Sequence, residues 1–168
     1  GLSEYEEINA KEVLLEVRYL PDIASAKKYL ARKKVEKEHG GLKLIRQADC
    51  FTCHSSETRL IGPSFNLIAK RYRGKPGATA LLVKKVLRGG SGNWGDVPMI
   101  GHPSYTSSQV KQMVGWILNN AGNPDLAYYN GLEGAFKTKG KSAKKVLVLT
   151  ASYTDHGEKN SMQDKKYG

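Results

Sequence analysis

Cysteine is almost absent from this chain of 168 residues: there are two, Cys50 and Cys53, three positions apart. A pair so close leaves no framework of disulfides, so the fold must rest on an apolar core or a bound group. Long hydrophobic runs are missing too. The longest, such as Val146-Leu147-Val148-Leu149, are strand-sized and fall far short of the ~18 apolar residues that a membrane-spanning helix needs. The first residues, Gly1-Leu2-Ser3-Glu4, have neither a basic start nor an apolar core, so an export signal is expected to have been removed or never to have adjoined them. Acidic residues are scarce in one region. Residues 40–121 carry eleven basic and three acidic side chains, against eight and eight in 1–39 and eight and five in 122–168. The net charge of +11 is therefore concentrated in the middle of the chain. Such a balance favours an acidic protein face, an anionic lipid or a nucleic acid as partner.

The punctuation divides the chain into three zones. In 1–39, Val13, Leu15, Val17 and Tyr19 alternate and predict a strand over 12–20. Asp22 is expected to cap a short helix with Ile23, Ala26 and Leu30 as its apolar stripe. In 40–121, Gly, Pro and Ser separate four helical pieces. One starts near Leu42 and runs into the cysteines. A second follows Pro63-Ser64, with Phe65, Ile68, Ala69 and Tyr72 on one face, and stops at Gly74. A third covers 78–88, and a fourth opens with Thr106 and Gln109 at capping-box spacing. In 122–168 a Gly- and Lys-rich connection leads to a strand over 144–154, and the polar end is expected to be disordered.

Cys50-Phe51-Thr52-Cys53-His54 has the C-x-x-C-H spacing of c-type haem attachment. Two thiols three positions apart can each form a thioether with the porphyrin, and the adjacent histidine is then directed at the iron. A thioredoxin-like dithiol or half of a zinc site uses the same C-x-x-C. The first should follow a strand in a βαβ unit, and this pair follows a helical segment. The second needs a further ligand, with His39, His102, His156 and carboxylates on offer. A second axial ligand could be Met99, Met113, Met162, His102, His39 or His156. Met113 falls on the apolar stripe of the last helix and Met162 in a polar tail, whereas Met99 lies in the Gly/Pro-rich loop 92–103. Met99 is the expected ligand and His102 the runner-up. The run Lys70-Arg71-Tyr72-Arg73-Gly74-Lys75 is read as a solvated helix face and not as a nucleic-acid patch, and Tyr128-Tyr129 as loop residues covering the helical core.

Residues 41–120, with Cys50–His54, Ile61-Gly62-Pro63-Ser64, Gly92-Asn93-Trp94-Gly95, Val97-Pro98-Met99 and the Trp116 helix in that order, resemble the bacterial monohaem class I cytochromes c. The resemblance implies a mainly α fold around one covalent haem c, with short flanking strands. It implies His54 and Met99 as iron ligands, Pro63 accepting the other ring N–H of His54, and Trp94 directing its indole N–H at a haem propionate. Lys85 stands where these relatives often have an arginine for that propionate. Ile45 stands where they place an aromatic. It further implies electron transfer and no enzymatic activity, in the periplasm or outside the cell; the basic excess of residues 40–121 leads to the expectation of a redox partner with an acidic face. The competing reading is an open-site haem enzyme or sensor of peroxidase type. The zones outside 41–120 resemble, faintly, the joints of secreted bacterial proteins in which a cytochrome module is fused to a dehydrogenase or carbohydrate-binding domains.

Overall fold

The computed structural model describes residues 9–33, 38–136 and 145–153. His156, Met162 and the polar end lie outside the described residues. A single 3-10 turn (Ala10–Glu12) leads into β1 (Val13–Leu20) and α1 (Ile23–Lys33). Four helices follow: α2 (Gly40–Gln47), α3 (Phe65–Tyr72), α4 (Ala78–Arg88) and α5 (Ser107–Asn120), and then β2 (Leu126–Asn130) and β3 (Val146–Tyr153). Among the described residues no helix is long and apolar enough to cross a membrane.

The helix ends fall where local chemistry puts them. Thr106 and Gln109 form the reciprocal capping box of α5, and the Ser64 hydroxyl accepts from the Leu67 N–H at the start of α3. The α2–α5 crossing is close because Gly41 lies against the backbone of Gln112 and the Cβ of Trp116, where a methyl group would collide with both. Ile45, in the position expected to be aromatic, is fully buried in the core formed by Leu42, Phe65, Ala69, Val110, Met113, Val114 and Trp116. Met113 is thus a core residue.

β1 is the central strand of an antiparallel sheet of order β2-β1-β3, with Val17 opposite both Ala127 and Leu149. The two strands read from the sequence therefore pair with each other, and β2 is a third that the sequence reading assigned to a loop. Its residues are buried by long-range pairing and by Trp116, whose ring meets Tyr128 edge-on at 5.1 Å. Such a contact contributes about 0.5–1.5 kcal/mol beyond the area it buries. Leu14, Leu126 and Tyr128 belong to the same core as the helices, so the sheet and the helical unit share one interior. Burial along β1 does not alternate: Leu14, on the face opposite Val13, Leu15, Val17 and Tyr19, is a core residue.

The stripe expected on α1 is overturned. Ile23 is 65% and Leu30 41% exposed, and only Ala26 is buried. The helix is held instead by polar bonds. Glu16, 3% exposed, accepts from Lys33 Nζ at 2.5 Å, Tyr29 OH at 2.5 Å and Arg18 Nε at 2.9 Å. Burial works to raise its pKa, but the bonds from Lys33, Tyr29 and Arg18 outweigh it and hold the carboxyl below the ordinary range. Asp22 does cap the helix, its Oδ1 accepting from the Ser25 N–H at 2.7 Å.

Candidate functional site

The segment from α2 to α3 carries the cysteines. Asp49 turns the chain at φ 53, and a 3-10 turn (Cys50–Thr52) then brings Cys53 and His54 back under α3. The His54 and Cys53 N–H groups both donate to the Cys50 carbonyl, at 2.9 and 3.2 Å, which keeps the pair and the histidine on one tight turn. Both cysteines are free and half-buried. Burial, with the Asp49 carboxylate next, pushes the Cys50 thiol up to about 12. A dithiol reductant needs a thiol shifted the other way. Among the described residues no group of three or more His, Cys, Asp or Glu side chains stands ready to hold a metal ion, so a closed zinc site has no ligand set there.

His54 is buried between Phe65, whose ring stacks at 5.6 Å, and Gly62, where a Cβ would run into the imidazole. Its Nδ1 lies 2.6 Å from the Pro63 carbonyl, which can only accept, so Nδ1 carries the hydrogen and Nε2 keeps its lone pair. Burial lowers the pKa of the ring, the Pro63 bond opposes this, and the proximity of His102 lowers it further. A neutral imidazole of fixed tautomer with one free nitrogen is a ready metal ligand.

The other expected site residues lie on α4 and on the loop beyond it. Gly90 and Met99 exchange both backbone hydrogen bonds, at 2.9 and 3.0 Å, so the half-buried Met99 is tied to the end of α4. Trp94 is half-buried in the intervening loop, and Lys85 Nζ donates to the Ser91 carbonyl at 3.3 Å. The His102 N–H donates to the Val86 carbonyl at 2.9 Å, and its ring faces Tyr105. His39 is occupied as the cap of α2, its Nδ1 accepting from the Gly41 N–H.

The apolar surfaces fit a large flat ring system. On α4 only Ala78 is buried, while Leu82, Val83, Val86 and Leu87 stay half-covered although they pack on the core. Ile61, next in sequence to the Gly62 that packs on His54, and Val97 and Ile100, close in sequence to Met99, are 56%, 61% and 79% exposed. The exposed Ile61, Val97 and Ile100 and the half-covered face of α4 are apolar surface of the kind that a porphyrin would cover.

Sequence reasoning missed the arginines. Within the run read as a solvated face, Arg71 Nη1 donates to the Asn93 carbonyl at 2.6 Å, and Arg73 bonds the Leu118 and Ala121 carbonyls at the end of α5. Arg59 Nη2 donates to the Trp94 carbonyl at 2.8 Å. Arginine can serve such acceptors through any of five N–H groups, but nothing in the local sequence says which carbonyl the fold will bring to it.

A Cytochrome c family model matches residues 40–121. Cytochrome c-551 of Allochromatium vinosum is 42% identical over 77 residues, 46% of this chain and 82% of that protein. Cytochrome c-551 of Azotobacter vinelandii is 35% identical over 80 residues, 48% of this chain and 96% of that protein. Among solved structures, wild-type Nitrosomonas europaea cytochrome c552 aligns with 46% of this chain and 96% of its own at 33% identity and a TM-score of 0.44. The haem-attachment spacing thus sits inside a stretch that spans most of the length of its relatives, and the chain belongs to the cytochrome c family, as a bacterial class I electron-transfer protein that carries covalent haem c and is not an enzyme.

Proposed function

We propose that residues 40–121 are the haem-bearing unit, with 1–39 and 122–168 as extensions, and that the electron passes through a closed His54/Met99 coordination shell. Cys50 and Cys53 would provide the two thioether links, and His54 Nε2 and the Met99 thioether would hold the iron. The observation that carries this reading is the 2.6 Å bond from His54 Nδ1–H to the Pro63 carbonyl, which fixes the ring and increases the basicity of Nε2. Bound there, the haem supplies a one-electron couple. The chain's own groups would set its environment: the soft Met99 thioether and the apolar face of α4 would both favour the reduced state. Trp94 and Lys85 would be the residues to hold a propionate, Lys85 as a point charge instead of a planar fork.

The redox partner presents an acidic face, because the region around the haem carries the excess of basic side chains. That partner is a separate protein, or a dehydrogenase or carbohydrate-active domain joined to one of the extensions. The setting is periplasmic or extracellular. Met99→Ala is the test. The haem stays attached, the Met-to-iron charge-transfer band of the oxidised protein disappears, and added imidazole or CO binds. Retention of the band in Met99→Ala, with its loss in Met113→Ala, overturns the assignment.

A further inference from the structure

Three cations, from α3, from α4 and from the segment between His54 and α3, converge on one short stretch of backbone. Between Gly90 and Met99 the chain makes an excursion with little bonding of its own, beyond the Gly92 N–H donating to the Gly95 carbonyl at 2.9 Å. Gly92 and Gly95 both have positive φ, 97 and 114, so this loop is built from the most freely rotating residues available. Its carbonyls are held from outside. Ser91 accepts from Lys85 of α4 at 3.3 Å, Asn93 from Arg71 of α3 at 2.6 Å, and Trp94 from Arg59 at 2.8 Å. Arg71 also lies over the Trp94 ring, 4.7 Å from its centroid, and over Tyr72 at 5.6 Å. Arg59 stands in a β-bridge with His54, so its guanidinium ties the backbone on one side of the site to the loop that bears Met99 on the other.

We propose that Arg59 and Arg71 are positioning residues that clamp the loop and thereby hold Met99 in place as the sixth ligand. The inference rests on the reading of Met99 as that ligand. A thioether on a flexible side chain is a weak ligand, so its occupancy depends on how narrowly its backbone is confined. The glycines give the loop freedom to wander, and the two planar guanidiniums remove it. Arg71 acts by a hydrogen bond and by stacking, Arg59 by spanning from His54 to Trp94. A lysine at either place keeps the charge and loses the planar, multi-donor contact.

Imidazole binding to the oxidised holoprotein measures the clamp, because imidazole enters only where Met99 has left, and its apparent affinity follows the fraction of molecules in that open state. Arg71→Gln and Arg59→Gln are each expected to strengthen imidazole binding about tenfold, and the double variant more, with the haem still attached. Arg71→Lys is expected to resemble Arg71→Gln more than the parent. Arg88→Gln, which removes the same charge from the exposed end of α4, is expected to stay within about twofold of the parent. If both Gln variants bind imidazole as the parent does, or if Arg88→Gln strengthens binding equally, the clamp is overturned. The two readings fail differently: a parent protein with no Met-to-iron charge-transfer band removes the ligand assignment and the clamp together, whereas a parent with the band and unresponsive arginine variants removes the clamp alone.

Discussion

Replacing Ser56 with alanine should cost this protein more than any comparable loss of a single hydroxyl. Ser56 is 5% exposed, two residues beyond His54, and its Oγ bonds both backbone groups of one residue: it donates to the Tyr128 carbonyl at 2.6 Å and accepts from the Tyr128 N–H at 3.0 Å. Tyr128 sits opposite Glu16 in the sheet, but its own N–H and carbonyl turn away from β1, towards Ser56. The hydroxyl therefore takes the place of a neighbouring strand. Alanine leaves a buried donor and a buried acceptor without partners, each worth about 1–3 kcal/mol. Partial entry of water reduces the upper end, so the expected loss is about 2–4 kcal/mol. For a chain of this size that lowers the melting midpoint by about 4–16 °C. Denaturant unfolding of the holoprotein, followed by far-UV circular dichroism, reads the loss as a shift of midpoint with unchanged slope. Hydrogen exchange at the Tyr128 amide reads it locally. A loss below about 0.5 kcal/mol with that amide still protected refutes the reasoning, because another group must then satisfy the strand edge.

Glu16 predicts a pH dependence. Its pKa lies below the ordinary 4.5 in the folded chain, so its stabilising contribution is complete above about pH 4.5 and is lost as the pH falls through the folded value. Unfolding measured from pH 6 to 3 should show this loss, and Glu16→Gln should be less stable at neutral pH and flatter below 4.5; an unchanged acid slope refutes it. Gly62→Ala places a methyl group against the imidazole of His54 and should move the ring, changing the low-spin spectrum while leaving both thioethers intact; an unaltered spectrum means that the loop yields instead. Bimolecular oxidation of the reduced protein should slow with added salt for an anionic oxidant and quicken for a cationic one, as expected for a field screened over about 8 Å at physiological ionic strength. Equal responses would place the positive charge away from the site of electron exit.

Local chemistry made much of the molecule legible. The cysteine spacing pointed to covalent haem c, the cofactor of the family, and Ser64, Thr106 and Gln109 marked helix starts because a cap is decided within one turn. What escaped notice depended on distant partners. Leu126–Asn130 is too short to announce a strand and becomes one only beside β1. The charges of α1 cancel in sequence and read as inert, yet Lys33 meets a buried carboxylate on β1, and the helix turns its leucine and isoleucine outward as a result. Arg59 and Arg71 are ordinary surface residues until the fold brings the Met99 loop to them.

The sheet also decides the order of assembly. β1 and β3 meet across nearly the whole described chain, Val13 against Tyr153 and Leu20 against Val146, with all four helices of the haem unit lying between them in sequence. Helices form from neighbouring residues, whereas closing so long a loop must await something that draws its ends together. The helical core is that something, so strand closure is the late event of folding. Until it happens, Leu14 lacks its strand neighbour on β3, and β3, which carries no charged side chain, has both of its edges unpaired instead of the one left in the finished sheet. A newly made chain that lingers at that stage can complete the edge with a strand from another copy, so the hazard of misassembly falls on the extensions and not on the haem site.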